Sequence, residues 1–298
     1  MTTERDACDA LHEAGLDLAP AQVRVEARED RWLVLLPAER LAWFPVNPRG
    51  HQRLQTERRI LRLLAQHCSF AAPRILFESD AGWDVRAAVP GICDPWALYE
   101  QTQTDRPLAQ RIGRAIGRIL VEQHTRISHD DVMGWLSERP AWPEPSDQIR
   151  QRLPSVIHDT SLLAQIDRVL DEHDRAVAAS EDRVLVHGDL GLHNIAVDPH
   201  TSEVLGVFDY EGASWADRHC DFRYLLFDIE REDALEAALE VYEPAVDRIL
   251  DRRRIRLYNV GCAIGFLALR QGIPPEQRSC GRTLAQDLSW LNGALARL

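Results

Sequence analysis

The residues of this chain best suited to chemistry lie in VHGDLGLHNIAV, residues 186–197. His187, Asp189, His193 and Asn194 sit there between two apolar runs, Val184–Val186 and Ile195–Val197. Short β-branched runs on either side of a Gly-containing segment predict two buried strands joined by a tight loop. A further run, VLGVFD, ends in Asp209. If the strands flanking the turn DPHTSE pair as a hairpin, Asn194 and Asp209 lie side by side and face the same side as Asp189. Carboxylates with an amide oxygen suit a hard cation such as Mg2+, which binds few protein oxygens and keeps places for phosphate. A carboxylate left free of metal can accept the proton of an attacking hydroxyl. Those are the requirements of phosphoryl transfer. No HxH or HxxEH spacing supports the rival reading, a His/Asp metal hydrolase.

The elements that position these residues are legible upstream. Residues 22–45 (QVRVEAR, RWLVLLP, RLAWFP) are rich in Val, Leu and Trp with short polar breaks, and predict three antiparallel strands. In HQRLQTERRILRLLAQH, Leu54, Leu61 and Leu64 recur at helical spacing with Glu57 on the same stripe. RILFES and WDVRAAV add two strands before a break at Pro90-Gly91. Five strands around one helix make a small first domain, residues 1–91. Residues 92–298 form a larger, mainly helical second one. It opens with a helix from Thr104-Asp105-Arg106-Pro107 to about His124, with a polar cap followed by an early Pro. A Pro- and Trp-rich stretch at 130–147 and an amphipathic helix over 161–177 follow. Beyond Cys220 come helices broken near Pro244 and between Gly272 and Pro275.

The 298 residues carry a formal net charge of −12. Nucleic-acid binding is disfavoured by that charge, whereas a cationic small molecule suits it. No apolar run approaches the roughly 20 residues of a membrane helix, and the acidic N-terminus is unlike a secretory signal. The six cysteines are scattered without CxxC, so the expectation is a cytoplasmic chain with reduced thiols. All 35 basic residues counted as Lys or Arg are arginine.

H-G-D-L-x-x-x-N followed by a hydrophobic strand ending in Asp resembles the aminoglycoside phosphotransferase and choline kinase family, small-molecule kinases of protein-kinase-like fold. The segment YEGASWADRHCDF continues the likeness, since Asp217 and Asp221 resemble that family's A-D-x-x-x-D segment. The resemblance implies a bilobal α+β fold and a kinase that uses Mg2+ and ATP or GTP to phosphorylate a hydroxyl group of a small molecule. An antibiotic, aminoglycoside-like or otherwise cationic, is the implied acceptor. The acidic stretch IEREDALEAALE is expected either to supply carboxylates to such an acceptor or to form a solvated helix face. By position, Asp189 would be the catalytic base, and Asn194 and Asp209 would hold Mg2+. His187 would be structural, Asp217 would brace the catalytic loop, and Asp221 would anchor the following helix. Ala87, Ala88 and Val89 would border the nucleotide base, and Glu57 would belong to the nucleotide site.

Two features depart from that family. Its third strand carries a lysine paired with the helix Glu to hold the phosphates; here Trp43 or Phe44 takes that position. A buried, unpaired carboxylate at Glu57 would be costly, so an arginine must answer it; Arg24, Arg49 and Arg86 are the candidates. The turn between the first two strands, AREDR, also has no glycine to let backbone N–H groups approach phosphate. The alternative to an active kinase is therefore a weak or inactive relative that binds a ligand or partner.

Overall fold

The computed structural model describes residues 4–140 and 142–298. Met1–Thr3, at the start of the acidic N-terminal segment, and Ala141, within the Pro- and Trp-rich stretch, lie outside the described residues. The chain begins with helix α1 (Glu4–Leu11), then strands β1 (Arg24–Ala27), β2 (Arg31–Leu36) and β3 (Arg40–Pro45). Helix α2 (Pro48–His67) and strands β4 (Arg74–Glu78) and β5 (Asp84–Ala87) follow. The five strands form one sheet in the order β1-β2-β3-β5-β4, every neighbouring pair antiparallel.

Strand periodicity gives this sheet two different faces. Val34, Ala42 and Val85 are in register across β2, β3 and β5 and share one face. They pack with Phe44, Trp83, and Ala7 and Leu11 of α1, so that face is an apolar core. On the other face lie Leu33, Trp43, Asp84 and Arg86. Helix α2 is started by Asn47, whose side chain accepts the Gly50 N–H at 2.9 Å, with Pro48 as its first residue. It buries Leu54, Ile60, Leu61 and Leu64 together with Glu57 and Arg58. Each buried aliphatic side chain contributes roughly 1.5–3 kcal/mol.

Helices α3 (Pro95–Thr104) and α4 (Arg106–Arg126) come next, then the short α5 (His129–Val132) and α6 (Ser146–Arg152), and α7 (Thr160–Arg175). Four short strands follow: β6 (Arg183–Val186), β7 (Ile195–Val197), β8 (Val204–Val207) and β9 (Ser214–Asp217). The chain ends with α8 (Arg223–Phe227), α9 (Glu232–Val246), α10 (Arg252–Ala268) and α11 (Leu284–Arg297). β7 pairs with β8 and β6 with β9, both antiparallel. α3 and β9 escaped the sequence reading, because PWALYEQTQT has a weak apolar stripe and SWAD is very short. The break expected near Pro244 falls three residues later. α9 runs through Pro244 to Val246, and Asp247, in the left-handed conformation (φ 52°), ends it.

The chain divides into two compact units that are not contiguous in sequence. The first contains residues 1–93, 133–135 and 194–211; the second contains 94–132, 136–193 and 212–298. The fold class is α+β. No helix among the described residues is long and apolar enough to cross a membrane.

Within the second unit, α4 crosses α9 at very close range. A Cβ added at Gly113 would lie 2.1 Å from the Ala234 carbonyl oxygen, and one at Gly117 2.5 Å from that of Ala238. The glycines of RIGRAIGR thus set the helix–helix distance. Gly117→Leu should force the helices apart at a cost of about 1–3 kcal/mol or more, lowering the melting temperature by roughly 2–4 °C per kcal/mol. Arg118→Leu, at an exposed neighbouring position, should leave the melt nearly unchanged.

Candidate active site

The site residues fall into two sets, one in each unit. In the second unit, β6 delivers the chain into the loop His187–Asp189. Gly188 has φ 81°, and a Cβ there would lie 2.5 Å from the Gly212 carbonyl oxygen, so only glycine fits. Asp221, fully buried, accepts the backbone N–H groups of His187 at 2.8 Å and Gly188 at 2.9 Å. Its Oδ2 also lies 3.1 Å from His124 Nε2. Arg223 donates to the carbonyls of Gly188 and Cys220. The loop backbone is therefore clamped from both its amide and its carbonyl side.

The resemblance implies this bracing contact for Asp217, whereas the hydrogen bonds to the loop come from Asp221. The register explains why. Asp217 pairs with Arg183 at the far end of β6, whereas Ser214 pairs with Val186 next to the loop. Asp217 instead hydrogen-bonds Tyr258 Oη at 2.7 Å and His219 Nδ1 at 2.6 Å and forms an ion pair with Arg254, 2.5 Å from its Nε. Asp221 lies in the turn Arg218–Phe222, which places its carboxylate against residues 187 and 188. His187 is wholly buried, and its Nδ1 faces the Asp189 N–H at 3.3 Å, a structural position.

Burial works against the ionised form of Asp189. Hydrogen bonds from His193 (3.2 Å) and Tyr224, with the His193 charge, outweigh it and hold the pKa below the usual carboxylate range. His193 sits between Asp189 and Asp228, 3.4 Å from the latter. Burial opposes its charge too, yet the two carboxylates push its pKa up to about 10. Nothing local in the sequence announces Asp228 as its second partner.

His193 and Asp228 also line a cavity of about 510 Å³ in the second unit, walled by Trp96, Tyr99, Tyr224 and Trp290. Glu230 enters it with a left-handed backbone (φ 55°), its carboxylate accepting the Tyr99 hydroxyl at 2.9 Å. The rest of IEREDALEAALE does not supply carboxylates there. Glu232 pairs with Arg256 (3.1 Å), Asp233 with Arg106 (2.8 Å) and Arg231 (2.9 Å), and Glu236 with Arg252 (3.0 Å).

In the first unit, β7 and β8 pair Ile195 with Val207, and Phe208 N–H donates to the Asn194 carbonyl at 3.0 Å. Asn194 and Asp209 thus stand at the open end of one ribbon. Asp209 has φ 67°, a backbone state that Asp tolerates better than most residues. Glu57 Oε2 accepts Arg86 Nη1 at 2.6 Å, and its Oε1 accepts the Tyr210 N–H at 3.2 Å. Arg86 also makes two bonds to Asp84, at 2.9 and 3.2 Å, and Asp84 accepts Arg58 Nε at 2.9 Å. Desolvation opposes the Arg86 charge, but Glu57 and Asp84 more than offset it. Of the three candidate arginines, Arg86 answers Glu57. Arg24 and Arg49 pair at the surface with Glu26 and Glu29.

Trp43, 4% exposed, has Arg31 5.2 Å from its ring centroid and Arg86 at 6.0 Å. Arg31 Nη1 donates to Glu211 at 2.6 Å and Asp30 at 3.1 Å. Ala87 closes β5, Ala88 N–H donates to the Glu39 carbonyl at 2.7 Å, and Val89 is buried.

The model of the phosphotransferase enzyme family matches residues 18–258, and the chain belongs to that family. It is 27% identical over 160 residues to the aminoglycoside 3'-phosphotransferase of Streptomyces fradiae, which is 52% of this chain and 56% of that protein. The chain thus spans little more than half the length of this curated relative. The GDP complex of wild-type aminoglycoside 2'-phosphotransferase-IIIa superposes with a TM-score of 0.70 at 14% identity, covering 100% of this chain and 99% of that one. A macrolide 2'-phosphotransferase from Brachybacterium faecium gives 0.66 at 18%, covering 92% and 99%. At those identities the likeness shows a shared fold.

Asp221→Ala should leave the His187 and Gly188 amides without their acceptor, at about 1–3 kcal/mol per orphaned group. Native-state hydrogen exchange at those two amides should accelerate. Asp217→Ala should not accelerate it, and equal acceleration in both variants would contradict the assignment.

Proposed function

We propose that the protein is a small-molecule kinase acting in the cytoplasm, transferring the terminal phosphate of ATP or GTP to a hydroxyl group. The observation that carries this reading is Asp189, hydrogen-bonded to His193 on a backbone-clamped loop, with Asn194 and Asp209 at one ribbon end. The acceptor oxygen forms its bond to the terminal phosphorus as the bond to the departing diphosphate breaks, and the hydroxyl proton passes to Asp189. In a loose transition state such a base mainly orients the hydroxyl and takes the proton late, so a low pKa is no obstacle. Asn194 and Asp209 would hold Mg2+, which suits one or two protein oxygens with phosphate and water filling the rest and offsets phosphate charge when bound. Ala87–Val89 would border the nucleotide base.

For the acceptor, the relatives' names point to an antibiotic-type compound. The cavity chemistry narrows that class. Its walls are aromatic, Asp228 is committed to His193 and to the Leu192 N–H (2.8 Å), and Glu230 is its other carboxylate. Such a site suits one ammonium on an apolar body better than a polycation. The alternative, a weak or inactive binding relative, is favoured by the aromatic residue at the lysine position, for which Trp43 is the candidate on the Arg86 face of the sheet while Phe44 packs in the opposite core.

A phosphorylation screen with Mg2+ and ATP or GTP, comparing monoamine hydroxyl compounds such as macrolides with kanamycin, tests the proposal. Transfer is expected, with monoamines favoured. Asp189→Asn should reduce it at least 100-fold while nucleotide binding persists. Binding of nucleotide without transfer to any acceptor would favour the alternative.

A further inference from the structure

A kinase-family lysine does two jobs with one charge: it neutralises the helix glutamate and it holds phosphate. This chain has no lysine, and each job finds a different arginine. Arg86 is locked on Glu57 and doubly on Asp84, and is 3% exposed. With three carboxylate bonds on a rigid fork, it is a fixed counter-charge. Arg31 is differently placed. It opens β2 directly after the β1–β2 turn and lies over the Trp43 ring. Its side chain is 12% exposed, against 3% for Arg86. Its Nε is buried and makes no hydrogen bond, a cost that a native structure retains for a reason. Burial opposes its charge, but Glu211, Asp209, Asp30 and Glu57 together outweigh that. Arg31 is thus within electrostatic reach of both Asp209 and Glu57.

The turn before Arg31 cannot cradle phosphate as a glycine-rich loop does. The Asp30 carboxylate is buried between Arg31 and Arg53 (2.7 Å), and its carbonyl accepts the Val46 N–H at 2.9 Å. The Arg28 N–H is spent on the Arg31 carbonyl at 2.8 Å. The turn is a rigid mount for Arg31.

We propose that the lysine's work is divided. Arg86 neutralises Glu57, while Arg31, supported on the Trp43 ring that occupies the lysine's place, holds the nucleotide phosphates, with its bond to Glu211 giving way to phosphate. A planar fork of N–H donors stacked on an aromatic face suits that task. This rests on the kinase reading, and the test separates the two.

Calorimetric titration of the full chain with ADP and adenosine, and with GDP and guanosine, at fixed Mg2+ measures what the phosphates add. Arg31→Gln should weaken the diphosphate on the order of 10–100-fold and leave the nucleoside unchanged. Arg31→Lys, which keeps the charge but loses the planar fork and its stacking, should restore only part of that loss. Adding Trp43→Lys to Arg31→Gln should recover at least tenfold. An Arg31→Gln protein with undiminished diphosphate affinity, or one that loses diphosphate and nucleoside affinity equally, would overturn the division while the kinase reading stands. Failure of the parent protein to bind either nucleotide at millimolar concentration would sink both.

Discussion

The buried ion pair between Glu57 and Arg86 is the constraint on which the first unit depends. Glu57 lies on the inward stripe of α2 at 4% exposure, where an unpaired carboxylate would cost several kcal/mol. Its two oxygens face different elements, Arg86 on β5 and the backbone N–H of Tyr210, directly after Asp209. One carboxylate thereby ties helix, sheet and the ribbon that carries Asn194 and Asp209 together within the unit. Asp84 and Arg58 extend the network into a chain of alternating charges across one face of the sheet, which also carries Leu33 and Trp43, whereas the opposite face is hydrocarbon and aromatic packing. Breaking such a network by removing one partner costs more than the pair itself contributes. That makes Arg86 a poor choice for a cation that must change partners when phosphate binds, and it leaves room for a second arginine.

The second unit applies a similar principle to a different loop. The proposed base sits on the loop 187–189, where polar groups are held from outside: amides by Asp221, a carbonyl by Arg223, the Asp189 carboxylate by His193 and Tyr224. Hydrogen bonds from fixed partners favour the charged form of such a base against the pull of burial. The same His193 reaches Asp228, a wall of the aromatic cavity, so the proposed base and acceptor chamber share one side chain.

Much of this was legible in the sequence because the signals are local. Alternating Val, Leu and Trp gave the strands of the sheet, the Leu54–Leu61–Leu64 stripe gave α2, and the turn DPHTSE between two apolar runs placed Asn194 beside Asp209. The need for a cation at Glu57 followed from charge arithmetic alone. Which arginine answers was illegible, because pairing between α2 and β5 is a matter of register rather than of sequence distance. That Asp221 rather than Asp217 braces the loop has the same origin: β9 pairs with β6 in a register that puts Asp217 at the far end. Arg31 escaped notice because its significance comes from the Trp43 ring beneath it. The acidic stretch after Asp228 reads in sequence either as a source of carboxylates or as a solvated helix face, and only the ion pairs to Arg106, Arg252 and Arg256 reveal that most of its charge is already matched.

The most direct measurement is a crystal structure of the protein with Mg2+ and a non-hydrolysable analogue of ATP or GTP. The account expects phosphate oxygens within about 3 Å of Arg31 nitrogens, the metal on Asn194 and Asp209, and Arg86 still bonded to Glu57. Phosphates held by Arg86 after it has left Glu57, or by neither arginine, would contradict the divided charge at the centre of this account.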